Sequence, residues 1–100
     1  MKLKIGKTTY NVSWPDTLEP PLTRGRIDYT AKTIKVAKRA GQPRRVRTAK
    51  GREHTFWHEV VHGILYDMGS RKYRDEVFVD ELAKRIAQVH DQVVVVSYEL

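Results

Sequence analysis

An α+β domain is predicted by a change of apolar period along the chain. Alternation of two runs through residue 36, and a period near 3.6 replaces it from about Arg44 or Thr48 onward. The third observation is size: 100 residues with 40% hydrophobic content can build one modest core and one domain, residues 1–100, without a second unit. The expected architecture is a small N-terminal antiparallel sheet or hairpin followed by two helices.

Residues 3–14, LKIGKTTYNVSW, alternate loosely and are rich in Thr, Val, Ile and Tyr, which predicts a strand with a break at Gly6. The segment PDTLEPPLTRG holds three of the four prolines and reads as a loop. In RIDYTAKTIKVAK, Ile27 and Tyr29 precede a polar turn at Thr30–Lys32, and Ile34 and Val36 then alternate with lysines. That pattern is a hairpin with one buried face. Ala40-Gly41-Gln42-Pro43 ends it, and Pro43 suits the first turn of a helix.

In the first predicted helix Phe56, Trp57, Val60, Val61, Ile64, Leu65 and Met68 form an apolar stripe, and Gly69-Ser70 provides a C-cap. Gly51 weakens its front end. A second helix is expected from about Lys72 to Asp91, with Phe78, Val79, Leu82, Ile86 and Val89 on one face. The tail VVVVSYEL either prolongs it or pairs as a terminal strand, and its β-branched content leans slightly to strand.

Cysteine is absent, so disulfides and thiolate metal sites are excluded. The start MKLKIGKTTY carries charge but no apolar leader, and no stretch is long and apolar enough to span a bilayer. The expectation is a protein of the reducing cytoplasm, with a size that suits a bacterial host or a phage-infected cell. The formal charge of +7 is uneven: between Asp28 and Glu53 there is no acid, while residues 32–52 hold nine Lys or Arg. Arg44, Arg45, Arg47, Lys50 and Arg52 are therefore candidate contacts for nucleic acid or an acidic protein partner, set against an ordinary solvated basic surface.

His58-Glu59-Val60-Val61-His62 is an H-E-x-x-H pattern inside the first helix. Two histidines four apart lie one above the other on a helix face, so both imidazoles can reach one zinc ion. Glu59 is turned about 100° from His58, beside such an ion rather than on it. A carboxylate there can take a proton from the attacking water and pass it to a leaving amine. Chance ordering of this composition yields the pattern in roughly one chain in a hundred, so its weight comes from context. The interleaved residues are a buried stripe, and the motif therefore faces something semi-buried.

Catalytic zinc takes three protein ligands and keeps one position open. The second helix offers Asp75, Glu76, Asp80 and Glu81 near its start. Glu76 and Asp80, four apart, share one face at the edge of the helix–helix contact. Together they would supply a ligand oxygen and an acceptor that orients a ligand imidazole; Asp75 or Glu81 could substitute in principle, but neither has that partner spacing. The competing role for these acids is to complement the helix dipole. His54 continues the column of His58 and His62 but lies about 12 Å along the helix from His62, so it belongs near the site entrance. His90 lies about 21 Å along the second helix from Glu76. An electrophile for a tetrahedral intermediate has candidates in Tyr66, Tyr73 and the arginines, among which the sequence does not choose.

HEVVH followed by DEVFVDELA resembles the gluzincin arrangement, in which a helical Glu ligand precedes a supporting Asp by four residues. The interval from His62 to Glu76 is shorter than in thermolysin-type enzymes, so their intervening subdomain is missing. Gly25-Arg26-Ile27-Asp28-Tyr29 and Thr33-Ile34-Lys35-Val36 further resemble the hairpin that precedes the zinc helix in minimal ImmA/IrrE-type metallopeptidases of bacteria, mobile elements and phages. The resemblance covers roughly residues 25–90. It implies zinc on His58, His62 and Glu76, Asp80 in support, Glu59 catalytic, and a regulatory protein such as a repressor as substrate. The appended helix-turn-helix or sensor domains of longer members are not expected within these 100 residues.

Three functions follow as expectations: a zinc endopeptidase acting on a protein substrate, a basic nucleic-acid- or protein-binding module with a structural or vestigial zinc, and a docking protein that does not cut. SprT-type proteases, which act on DNA-bound proteins and join basic surfaces to HExxH, would reconcile the first two. With so little chain for subsites, an edge strand within residues 26–36 is expected to pair with a substrate backbone.

Overall fold

The computed structural model describes the backbone of residues 1–99 and the side chains of residues 1–93. It is α+β, with a four-stranded sheet in the N-terminal half and two helices behind it. The expected single strand over residues 3–14 is a tight hairpin, β1 (Lys2–Ile5) and β2 (Thr8–Ser13), with Ile5 opposite Thr8. Gly6 opens its two-residue turn at φ 58°, the positive value that such hairpin turns require. Residues 25–36 form the expected second hairpin, β3 (Gly25–Asp28) and β4 (Thr33–Val36). Its turn is tied by the Asp28 carboxylate, which accepts from the Thr30 and Ala31 N–H groups at 2.9 and 2.8 Å.

The strand order is β1-β2-β4-β3, so the two hairpins join through β2 and β4, which run parallel. The wholly antiparallel expectation is corrected at this one seam. Ile34 and Val36 are fully buried, whereas β3 has only a half-buried Ile27. The more apolar strand therefore takes the centre, and β3 is left as the edge. Leu3, Ile5, Tyr10, Val12, Ile27 and Ile34 turn to one face.

Between sheet and helix, β5 (Arg39–Ala40) and β6 (Arg45–Val46) form a second short ladder. Gly41, at φ 109°, opens the turn between them, so Pro43 sits in that turn rather than in the first turn of a helix. Helix α1 (Ala49–Asp67) begins at the later of the two expected starts because Thr48 caps it, its hydroxyl accepting from Gly51 N–H at 3.0 Å. It ends in a Schellman turn. Ser70 N–H donates to Leu65 C=O and Gly69 N–H to Tyr66 C=O, with Gly69 at φ 69°.

One flank of α1 packs Val60 onto Ile5, Tyr10, Val12 and Ile34. Gly63 permits that approach, since a Cβ there would lie 2.9 Å from Ile5 Cδ1 and 3.2 Å from Ile27 Cδ1. The other flank packs Val61 and Leu65 onto Val79 and Ala83. Those belong to α2 (Glu76–Glu99), which follows a 3-10 turn at Arg71–Arg74 and is capped by Asp75, accepting from Phe78 N–H at 3.0 Å. The expected start at Lys72 is thereby moved to Glu76.

Of the expected apolar faces, Ile64 and Met68 on α1 and Phe78 and Val89 on α2 are exposed. The backbone stays helical through the tail to Glu99, against the slight lean to strand. No Gly or Pro interrupts residues 90–99, and β-branching costs a helix only tenths of a kcal/mol per residue. Leu100 lies outside the described residues. No helix among those residues is long and apolar enough to cross a membrane.

Candidate metal centre

Helical spacing on α1 brings the His58 and His62 rings together edge to face, with centroids 4.9 Å apart. The short 3-10 connection then folds α2 back so that its first residue meets them. Glu76 places Oε2 3.0 Å from His58 Nε2 and Oε1 3.1 Å from His62 Nε2. The two Nε2 atoms are 3.2 Å from each other. Each ring is held by an acceptor on its far side. His62 Nδ1 donates to the Tyr73 carbonyl at 2.6 Å, and His58 Nδ1 to Asp80 Oδ1 at 3.4 Å.

Those two bonds settle the tautomers, because a ring protonated at Nδ1 and neutral presents a bare lone pair at Nε2. In the neutral rings two such lone pairs face the Glu76 carboxylate at 3.0–3.2 Å, an arrangement that a shared proton or a metal cation would bridge. Zinc bonds of about 2.0 Å in a tetrahedron set ligand atoms about 3.3 Å apart, close to the three separations found here. The donor set of His58, His62 and Glu76 thus fits a zinc ion.

Asp80 is more than a partner of His58. The same oxygen lies 3.2 Å from His54 Nε2, and the other carboxyl oxygen lies 3.2 Å from Lys84 Nζ. Partial burial pushes its pKa up, but the hydrogen bond and charge of Lys84, then His54 and His58, hold it below the ordinary carboxylate value. It remains an ionised acceptor. His54 accordingly lines the approach to the site without joining the Nε2 pair. His90 lies elsewhere, its Nδ1 3.8 Å from Glu53 and its ring packed on Trp57.

Glu59 is 6% exposed, and one of its carboxyl oxygens lies within 4.8 Å of a ring nitrogen of each histidine. Glu76 is nearer to both rings, which separates a contacting carboxylate from an adjacent one. Burial pushes Glu59 up to about 7, with His58 opposing and Glu76 adding to the effect. The edge strand produces that burial. A Cβ on Gly25 would stand 2.5 Å from Thr55 Cγ2 and 3.2 Å from Glu59 Cγ, so only glycine lets β3 close onto α1 here. A cleft of about 290 Å³ opens beside them, walled by Leu22, Thr23, Arg24, His54 and Asp80.

Three contributors have no sequence signature that marks them as part of the site: the Tyr73 carbonyl, the close approach at Gly25, and Tyr29. A backbone acceptor has no side-chain signal, although the glycine opening G-R-I-D-Y was visible. Tyr29 stacks on Tyr66 at 4.1 Å and meets Tyr73 edge-on. Burial, followed by the charge of Glu59, raises its hydroxyl well above the ordinary tyrosine value, so it stays protonated. Of the other candidate electrophiles, Tyr66 is spent on this stack and the Tyr73 hydroxyl accepts from Arg74 Nε at 2.8 Å.

The basic candidates divide. Arg44 pairs with Glu19, and Arg47 donates to the carbonyls of Arg24, Ala37 and Gly51 and to the Thr55 hydroxyl. Arg45 and Lys50 are exposed and Arg52 is half-buried. Comparison of the chain with protein-family models, with curated proteins and with solved structures finds no match.

Proposed function

We propose that this chain is a minimal zinc endopeptidase of the gluzincin kind, consistent with its resemblance to ImmA/IrrE-type enzymes. One observation carries the reading: two Nε2 lone pairs and the Glu76 carboxylate converge within 3.2 Å of one another, and a buried carboxylate, Glu59, stands beside them. Zinc held by His58, His62 and Glu76 would supply Lewis acidity to the scissile carbonyl and to the attacking water.

The chain's own residues do the rest. Glu59, buried beside the two imidazoles, accepts the proton of the attacking water and delivers it to the departing amine. Asp80 and the Tyr73 carbonyl hold the two imidazoles in one tautomer and one orientation. The free edge of β3 offers main-chain groups to an extended peptide, and Gly25 brings that edge down to Glu59. A cytoplasmic regulatory protein is the substrate that the family resemblance implies. The module reading, in which the basic segment grips nucleic acid, loses support where Arg39 and Arg44 are already paired with Asp16 and Glu19.

The test compares the proteomes of cells expressing the wild type and Glu59→Gln. Fragments that accumulate only with the wild type support the reading and name the substrate. Cleavage that survives Glu59→Gln would remove Glu59 from the chemistry.

A further inference from the structure

The cleft beside Glu59 does not end at its Leu22–Arg24 wall. Those two residues also line a larger depression of about 620 Å³, so the two hollows are contiguous. Arg45, Val46 and Arg47 line it together with Thr48 and Gly51 at the start of α1. Three arginines line it and no acid does. Among the described residues none of the three has an ion-pair partner, because Arg39 takes Asp16 and Arg44 takes Glu19.

Arg47 is fixed by neutral carbonyls, which orient its guanidinium without cancelling its charge. Burial, then the charges of Arg24 and Arg52, hold its pKa below the ordinary arginine value. Positive groups that disfavour one another in a concave surface are stabilised by an anion brought from outside. Leu22 and Val46, 68% and 74% exposed, give the rim an apolar lip.

We propose that this depression is a subsite for acidic side chains of the peptide substrate, on the C-terminal side of the scissile bond. The proposal rests on the peptidase reading of the neighbouring cleft. A peptide paired with the edge of β3 passes Glu59 and Gly25 and then reaches Arg24. Antiparallel pairing, the more stable arrangement, directs its C-terminal residues that way. A nucleic acid is the poorer occupant, because tight duplex binding draws on many phosphate contacts spread over an extended basic surface. Here the basic segment is interrupted by internal ion pairs, and what remains is a single hollow continuous with the cleft.

The probe is a short fluorescent peptide with a Glu-Asp-Glu tail, compared with Gln-Asn-Gln and Lys-Lys-Lys tails and with a labelled DNA duplex. Anisotropy titrations use the Glu59→Gln protein. The acidic tail should bind about tenfold more tightly than the neutral one. In an Arg24→Glu/Arg45→Glu background the preference should turn to the lysine tail, a gain that misfolding cannot mimic. Equal affinity for acidic and neutral tails, or a preference unmoved by charge reversal, overturns the proposal. So does duplex binding that displaces the acidic peptide and is lost in the same variant.

Digestion of a peptide library by the wild type separates the two readings. Cleavage without enrichment of Asp or Glu after the cut overturns the subsite and leaves the peptidase standing. Acid-selective binding with no cleavage of any sequence overturns the peptidase, and with it the placement beside a scissile bond, and leaves a binding site for acidic peptides.

Discussion

Glu59 should make the metal-free protein less stable as pH rises, and Glu59→Gln should abolish that dependence. In the folded chain its carboxyl is pushed from 4.5 to about 7 by burial. A group whose folded pKa is raised contributes its full stability below the unfolded pKa and loses it as pH climbs through the folded one. The window therefore runs from about pH 4.5 to just above 7. At about 1.4 kcal/mol for each tenfold change in proton affinity, the loss across it is about 3 kcal/mol. Glu59 is only 6% exposed, so solvent screening does not reduce this figure much. Small domains have about 5–15 kcal/mol in total, which makes the term large.

The assay is urea unfolding of both proteins in chelator at pH 4.5 and pH 8. Any fixed cost of the new amide cancels, since only the change with pH is compared. The stability of Glu59→Gln relative to wild type should rise by about 3 kcal/mol between the two pH values, or about 12–24 °C in Tm for a domain of this size. Parallel pH dependences for the two proteins would refute the burial argument.

Asp80→Asn leaves an acceptor beside His58 but removes its charge, and should weaken zinc binding about 10–100-fold, measured by competition with a chromophoric chelator. Gly25→Ala places a methyl against Thr55 and Glu59 and should cost about 1–3 kcal/mol by denaturant unfolding, with a larger fall in peptide cleavage than in zinc content. Thr48→Ala removes the hydroxyl that caps α1 and should cost about 1 kcal/mol, read in the same unfolding assay, without changing zinc content.

The parts legible in the sequence are those governed by local spacing. His58 and His62 sit one helical turn apart, Glu76 and Asp80 likewise, and Gly69 ends α1 where its φ of 69° is needed. The seam between β2 and β4 was hidden because pairing between distant strands leaves no periodicity behind. The turn at Gly6-Lys7 resembles a break within one strand because Gly-Lys is not one of the common hairpin pairs and Thr8-Thr9 continue the β-prone composition. Arg47 looked like any other surface cation, yet its partners are carbonyls from three separate stretches of chain. The Tyr73 carbonyl was invisible for a related reason: a 3-10 turn aims it, and every residue type carries the same group.

Whether His58, His62 and Glu76 together hold a zinc ion is decided by zinc content per chain, determined by mass spectrometry of metals after purification and equilibration with zinc. The wild type and Glu59→Gln should each retain one equivalent, while His58→Ala, His62→Ala and Glu76→Ala fall well below it. A wild type that binds no zinc, or a His58→Ala protein that retains it undiminished, would rule out this three-residue zinc site.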